Sequence, residues 1–200
     1  METPEIITFD GLEDKDRDLD ELIVITNADG GNKYRYTAMR YCLDDRCKAK
    51  KAYSIDASNC RIAAMQLRKN AAFWGNKEKN PFVQYVVSYL NETAASVAEA
   101  MRFTLAIFEP IIEGHMALTV GHNEDHQTAG FHTHTFVDTT DYTDGTMLYS
   151  DNKTNCEIAQ RVANVIRKPV KLIIKYHSKD EGWTFPKIFI PQDDVEVEET

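Results

Sequence analysis

The chain has 200 residues, of which 42% are hydrophobic, and its formal net charge is −9 at pH 7. This length and composition allow one domain with a hydrophobic core, whereas no apolar run reaches the roughly 18 residues of a membrane span. The N-terminal stretch lacks the basic and apolar regions of a secretory signal, and the four cysteines form no Cys-x-x-Cys pair, so we expect a cytoplasmic protein with reduced thiols.

Acidic and basic residues are unevenly distributed along the chain. Residues 1–21 hold nine Asp or Glu against two basic residues, and residues 193–200 hold five acids and no base. Residues 33–79 instead hold twelve Lys or Arg against four acids. This basic segment is a candidate for phosphate binding, although the net charge alone argues against nucleic acid. We expect an acidic, disordered segment at 1–21, a folded domain at 22–177 and an acidic C-terminal tail at 178–200.

The first part of the folded domain alternates short apolar and polar stretches. The sequence ELIVITN at 21–27 predicts a short strand, and the NADGGNK segment that follows predicts a turn. Residues 34–43 predict a short helix. The polar and basic residues 44–52 predict a loop.

A second helix is predicted at 59–74. Its spacing lets Ile62, Met65 and Phe73 share an apolar stripe. The segment GNKEKNP then interrupts the regular pattern. Residues 82–90, FVQYVVSYL, are rich in β-branched and aromatic side chains, which predicts a buried strand.

The clearest helix is predicted at 92–110, where apolar residues repeat every three to four positions before a proline. Two alternating segments, 115–122 and 131–138, predict the strands of a central hairpin. An amphipathic helix at 155–166 and a strand at 170–177 complete the order. Strands and helices are therefore mixed along the chain, which predicts an α+β fold.

Four of the six histidines lie in the hairpin region, GHNEDHQTAGFHTHTFVD. Residues i and i+2 of a strand face the same side, so His132 and His134 present two imidazoles on one face. In an antiparallel hairpin, His122 lies beside the start of the second strand and adds a third imidazole. His126, in the connecting loop, is the alternative third ligand. Three neutral imidazoles suit a divalent transition metal and leave positions open for substrate oxygens.

Acidic residues near the histidines are candidates to orient the imidazoles; they are Glu124, Asp125 and Asp138. The segment GFHTH also fits the first half of a cupin motif. A cupin requires a Glu a few residues later and a second motif, and neither is present. Three well-defined helices also fit a cupin poorly, so a cupin-like metalloprotein is a minor alternative.

Further motifs precede the histidines in a fixed order. Tyr41 lies in AMRYCLDDRCKAKKA at 38–52, Ser-Asn-Cys follows at 58–60, and Ser88 lies in the strand YVVSYL. No single motif is specific, but the ordered set resembles the relaxases of plasmids and conjugative elements. These are the MobA/VirD2-like mobilisation nucleases of the HUH endonuclease family. The resemblance runs from about residue 33 to 167.

The resemblance implies a central antiparallel sheet that carries the three-histidine site, with helices packed mainly on one side. It implies a nuclease domain at 22–177 that nicks single-stranded DNA at a transfer origin. Tyr41 would form a 5′-phosphotyrosine, with Tyr36 as the alternative nucleophile, and the histidines would hold Mg²⁺ or Mn²⁺. Glu124 stands where the family has the acid of its H-x-D motif, and Asp138 stands where an Asn is usual.

The resemblance also implies contacts with DNA and with proteins. The candidate DNA contacts are Lys48, Lys50, Lys51, Arg61, Arg68 and Ser88. Phe73 or Trp74 could stack on a base, although the helix core is the preferred interpretation of both. Accessory relaxosome proteins and a coupling protein are the expected protein partners. The main alternative function is a non-catalytic DNA- or partner-binding module in which the histidines hold a structural metal.

Overall fold

The computed structural model describes residues 22–26, 31–43, 47–77, 79–123, 130–174 and 188–192, with the backbone alone for 22–26, 31–36 and 173–174. The acidic segment predicted at 1–21 and most of the tail predicted at 178–200 lie outside the described residues. Within the described part of the chain, no helix has the length and apolar character needed to cross a membrane.

The strands found in the described residues are β1 (Leu22–Thr26), β2 (Cys47–Tyr53), β3 (Phe82–Tyr89), β4 (Ala117–His122), β5 (Phe131–Asp138), β6 (Val170–Ile174) and β7 (Ile188–Phe189). They form one sheet in the order β2-β4-β5-β3-β1-β6-β7. Neighbouring strands are antiparallel except β1 and β6, which run parallel. The predicted central antiparallel sheet is therefore confirmed, and β5 lies between its hairpin partner β4 and β3.

The helices of the described residues are α1 (Gly31–Cys42), α2 (Cys60–Phe73), α3 (Val97–Phe108) and α4 (Asn152–Ile166). Side-chain caps determine where three of them begin. Asn59, Ser96 and Asp151 are extended residues whose side-chain oxygens accept from N–H groups of the first turn. For this reason the helix predicted from residue 92 begins later, after Ser96, and the helix predicted from residue 155 begins earlier, after Asp151.

The loop predicted at 44–52 was wrong, because most of it belongs to β2. This strand pairs antiparallel with β4 at the edge of the sheet. At its start, half-buried small residues alternate with the exposed Lys48 and Lys50. Lysines suit an edge strand because they discourage pairing with a further strand. The strand could not be predicted from the sequence, because β2 is rich in lysine and lacks the β-branched residues that favour strands.

The sheet buries apolar side chains on both faces. Helices α3 and α4 cover one face and enclose the larger core, which includes Tyr85, Ile107 and Val162. Helices α1 and α2 lie on the opposite face over a smaller cluster that includes Leu118 and Phe136. The predicted α+β class is confirmed; helices pack on both faces of the sheet, and the larger core lies beneath α3 and α4 on one of them.

The apolar stripe predicted for α2 was wrong. The helix buries Ala63, Leu67 and Ala71, whereas Met65 is 46% exposed and Phe73 is 80% exposed. The buried residues repeat every four positions and are mostly small, which allows the helix to pack closely on the sheet. The preferred interpretation of Phe73 as a core residue was therefore also wrong.

Candidate active site

Three histidines meet on the sheet face that carries α1 and α2. Strands β4 and β5 form the predicted hairpin, in which His122 and His132 lie directly opposite each other. His134, two residues further along β5, faces the same side. All three side chains are buried, and one potential ligand nitrogen of each lies within 4.8 Å of those of the other two.

His122 is held by the last residue of α1. Its Nε2 lies 2.9 Å from the carbonyl oxygen of Cys42. A carbonyl can only accept, so Nε2 carries a proton, and in the neutral ring Nδ1 keeps its lone pair. This Nδ1 lies 3.1 Å from His132 Nε2, so the lone pair points into the cluster. Histidine ligands of metals commonly have this arrangement, with the second ring nitrogen donating to a carbonyl.

The buried Gln84 on β3 contacts His134. Its Nε2 lies 2.8 Å from His134 Nδ1 and 4.0 Å from Cys42 Sγ. Gln84 was not among the predicted site residues, but the sequence carried a signal for it. In the otherwise apolar and aromatic strand β3, Gln84 and Ser88 are four residues apart and therefore share one face. That face is the one on which the histidines lie.

The donor set fits a divalent transition metal. Two nitrogens that each lie about 2.1 Å from one ion are about 3 Å apart, and His122 Nδ1 and His132 Nε2 are separated by 3.1 Å. Imidazole nitrogen is a preferred ligand of transition metals, whereas Mg²⁺ prefers oxygen. His122, His132 and His134 could thus hold one ion through three nitrogens and leave positions open for substrate oxygens.

Tyr41 lies in the last turn of α1, next to the histidines. Its ring centroid is 6.3 Å from that of His122 and 6.4 Å from that of His134, and the residue is 40% exposed. The hydrogen bond between His122 and the carbonyl of Cys42 fixes this end of α1 against the cluster. Tyr36 lies on the same helix, but its side chain is outside the described residues.

Of the acids expected near the metal, Glu124 and Asp125 lie outside the described residues, as does the alternative ligand His126. Asp138 is buried, but it does not orient an imidazole as expected. Its carboxylate accepts from Asn70 Nδ2 at 2.8 Å and from the backbone N–H of Thr140 at 3.0 Å. Burial raises the pKa of Asp138 to about 7, against the lowering effect of these two hydrogen bonds.

The predicted DNA contacts fall in two regions. The region nearer the histidines consists of the edge strand β2 and the end of β3; its candidates are Lys48, Lys50, Lys51 and Ser88. Of these, Lys51 lies opposite Thr119 and faces the other side of the sheet. Ser88 lies directly opposite His132. The second region is the exposed side of α2, where Arg61 and Arg68 line a groove.

The family model of the relaxase MobA/VirD2-like nuclease domain matches residues 41–171. This match covers more than half of the chain and includes Tyr41 and the three clustered histidines. The chain matches no curated protein and no solved structure. Helices on both faces of the sheet also differ from the all-β architecture of a cupin. The resemblance seen in the sequence is therefore confirmed, and the chain belongs to the relaxase family of MobA/VirD2-like nuclease domains.

Proposed function

We propose that this protein is a metal-dependent relaxase that nicks one DNA strand at a transfer origin, with Tyr41 as the nucleophile. The observation that carries the proposal is the position of the partly exposed Tyr41 ring, 6.3 Å from the ring of His122 and 6.4 Å from that of His134. A nucleophile beside a potential metal site is the arrangement that phosphoryl transfer needs, because both groups must reach the same phosphate.

The reaction exchanges one phosphodiester bond for another. The Tyr41 oxygen forms a bond to phosphorus, the bond from phosphorus to the 3′-oxygen breaks, and the DNA 5′ end remains attached as a phosphotyrosine. The phenol loses its proton and the leaving 3′-oxygen gains one. Because bond energy is conserved in the phosphotyrosine, the strand can be resealed by the reverse reaction without a nucleotide cofactor. A phenol is mostly protonated near neutral pH, so the nucleophile needs activation.

The proposed cofactor is a divalent ion held by His122, His132 and His134. When bound, it supplies positive charge that polarises the scissile phosphate and stabilises the charge of the transition state. The all-nitrogen donor set favours Mn²⁺ over Mg²⁺, because Mg²⁺ prefers oxygen ligands. Burial of the three rings keeps competing water away and strengthens the electrostatic interactions of the site.

We assign the first DNA contacts to β2 and β3. The strand β2 pairs with β4, and its first residue, Cys47, lies opposite His122. The exposed Lys48 and Lys50 can therefore bind phosphates close to the metal site. Lys51 lies opposite Thr119 on the other face of the sheet, so we assign it no contact at the metal site. Ser88, opposite His132, can donate a hydrogen bond to the strand. Transfer in cells would further require accessory relaxosome proteins and a coupling protein in the cytoplasm.

A covalent trapping experiment tests the proposal. Labelled single-stranded oligonucleotides from the DNA flanking the gene are incubated with the protein and Mn²⁺, and adducts are separated under denaturing conditions. We expect an adduct with the unmodified protein and none with Tyr41→Phe, because only the phenol oxygen can form the phosphotyrosine. Tyr149→Phe is the matched control, since Tyr149 is 64% exposed and outside the proposed site. His132→Ala should also abolish the adduct.

Each other outcome identifies a different error. An adduct that persists in Tyr41→Phe but disappears in Tyr36→Phe would keep the reaction and refute Tyr41. If no oligonucleotide gives an adduct while calorimetry shows that His132 is needed for metal binding, the protein is a non-catalytic module with a structural metal.

A further inference from the structure

A second basic region lies along α2, on its flank next to the start of β3. Here α2 and the segment that leads into β3 enclose a groove of about 570 Å³. Its described lining contains five cationic side chains and no acidic one; the five are Arg61, Arg68, Lys69, Lys77 and Lys79. All five are exposed, so their charges face the open groove and attract a polyanion.

The floor of the groove is apolar. It includes Ala64 and Ala71 of α2, together with Pro81 and Phe82 at the start of β3. Met65, which is 46% exposed, also lines it. A cationic rim above an apolar floor can bind phosphates and unstacked bases together. Double-stranded DNA offers only its phosphates to such a surface, because its bases are stacked and paired.

An exposed aromatic ring lies beside one of the groove residues, Lys69. Phe73 lies four residues after Lys69 on α2, so the two side chains are neighbours on the helix surface. The ring is 80% exposed and is supported edge-on by Trp74, with centroids 5.2 Å apart. Trp74 in turn packs against Gly145. A fixed, exposed ring beside cations is a stacking platform for a nucleobase.

The groove is separate from the histidine cluster. His134 is opposite Val86 of β3, and Phe82 lies four residues before Val86, which corresponds to about 13 Å along the strand. A single strand several nucleotides long can therefore contact both places at once.

We infer that this groove is a second binding site for single-stranded DNA, which holds the strand several nucleotides from the proposed nicking site. The cationic rim would bind the phosphates, and Phe73 would stack on a base. The inference rests on the proposed function only for the choice of DNA as the polyanion. Binding at the groove requires neither the metal nor Tyr41.

Fluorescence anisotropy with labelled (dT)20 in EDTA tests this site without any chemistry. We expect Arg68→Ala/Lys69→Ala to weaken binding about tenfold near 0.1 M salt and to reduce the slope of log K against log salt by about 1.4, since each single-strand phosphate contact contributes about 0.7. The control is Arg102→Ala/Lys153→Ala, which removes two charges that are 71% and 75% exposed on the opposite helix layer. The control should change affinity less than twofold.

Phe73→Ala tests the stacking role separately. Loss of one base–aromatic stack should weaken (dT)20 binding at least fivefold, whereas Tyr149→Ala, which removes another exposed ring, should not. Both side chains substituted in the groove double variant are exposed. This variant should therefore keep the circular dichroism spectrum and melting temperature of the unmodified protein.

Three results would overturn the inference. Equal affinities of the groove and control double variants would mean that the groove does not bind the strand. An equal loss of affinity for a 20-base-pair duplex would mean a duplex-binding surface. Full competition by thymidine monophosphate would mean a nucleotide pocket. Because the binding assay contains no metal, its results hold even if the protein does not nick DNA. If the protein nicks DNA but the groove double variant binds (dT)20 as tightly as the unmodified protein, the groove inference is refuted and the proposed function is kept.

Discussion

At the residue scale, the cluster depends on how each imidazole presents its nitrogens. His122 donates Nε2–H to the carbonyl of Cys42 and keeps its lone pair for the cluster. For His134, Nδ1 faces Gln84 at 2.8 Å, so Nε2 is the nitrogen available to a metal. A metal-bound His134 must donate its Nδ1–H, and the amide oxygen of Gln84 can accept it after a half-turn of the amide.

Gln84 is therefore expected to act as a positioning residue for His134. Gln84→Leu should weaken Mn²⁺ affinity, measured by titration calorimetry, about 10- to 100-fold, because Nδ1–H loses its acceptor. Gln84→Glu should retain most of the affinity, since a carboxylate accepts the same hydrogen bond. Gln160→Leu is the matched control, because Gln160 on α4 also donates a partly buried hydrogen bond, to the carbonyl of Ile190, away from the histidines. Unchanged Mn²⁺ affinity in the Gln84→Leu variant would refute this role.

At the element scale, the register of β5 against β3 depends on a close approach of their backbones. Gly130 has φ +142 and precedes β5, and a Cβ at this position would collide with the backbone oxygen of Tyr89. Tyr89 pairs with Phe131 at the same end of β3 and β5. The close approach of the backbone at Gly130 therefore permits the register in which His132 lies opposite Ser88.

Gly130→Ala should destabilise the protein by more than about 2 kcal/mol, because it adds both left-handed strain and a collision with backbone. Gly75→Ala separates the two effects. Gly75 also has a positive φ, +78, but a Cβ there meets nothing within 4 Å, so the expected cost is only about 1 kcal/mol. Urea unfolding at constant pH measures both. If Gly130→Ala and Gly75→Ala reduce the free energy of unfolding equally, the collision of the added Cβ with the Tyr89 backbone is relieved without strain.

At the scale of the whole molecule, the end of β5 is tied to α2 by a buried carboxyl group. Asp138 is fully buried, and it bonds both Asn70 on α2 and the backbone of Thr140. Burial raises the pKa of Asp138 to about 7, well above the usual 3.8. In the folded protein the group thus keeps its proton over a pH range in which the unfolded chain has lost it.

This difference makes global stability depend on pH. A group whose folded pKa is raised contributes stability that is fully present below its unfolded pKa and is lost as pH rises through the folded pKa. The contribution of Asp138 should therefore decline from about pH 4 to about pH 7, by up to 1.4 kcal/mol per pH unit. Asp138→Asn cannot ionise, so the free energy of unfolding of the variant minus that of the unmodified protein should rise over this range. Urea unfolding at several pH values measures this difference. If the free energies of unfolding of the two proteins change with pH in parallel, the prediction is contradicted.

The amino-acid sequence by itself determined the family, the α+β class and the clustered histidines. These features follow from local rules: alternation in β4 and β5 fixes which residues share a face, and their succession along the chain predicts a hairpin. The order of Tyr41, Ser88 and the histidines could be read without knowing any distance.

Only the tertiary structure decided the features that depend on contacts between distant segments. The lysine-rich Cys47–Tyr53 is a strand because β4 offers it an edge, and α2 buries its small residues because the sheet lies on that side. Gln84 reaches His134 across 50 positions of sequence, and the carbonyl of Cys42 reaches His122 across 80. Apolar pattern and local propensity do not predict such pairings. Hydrogen bonds between distant residues form only when the packed chain satisfies its buried polar groups.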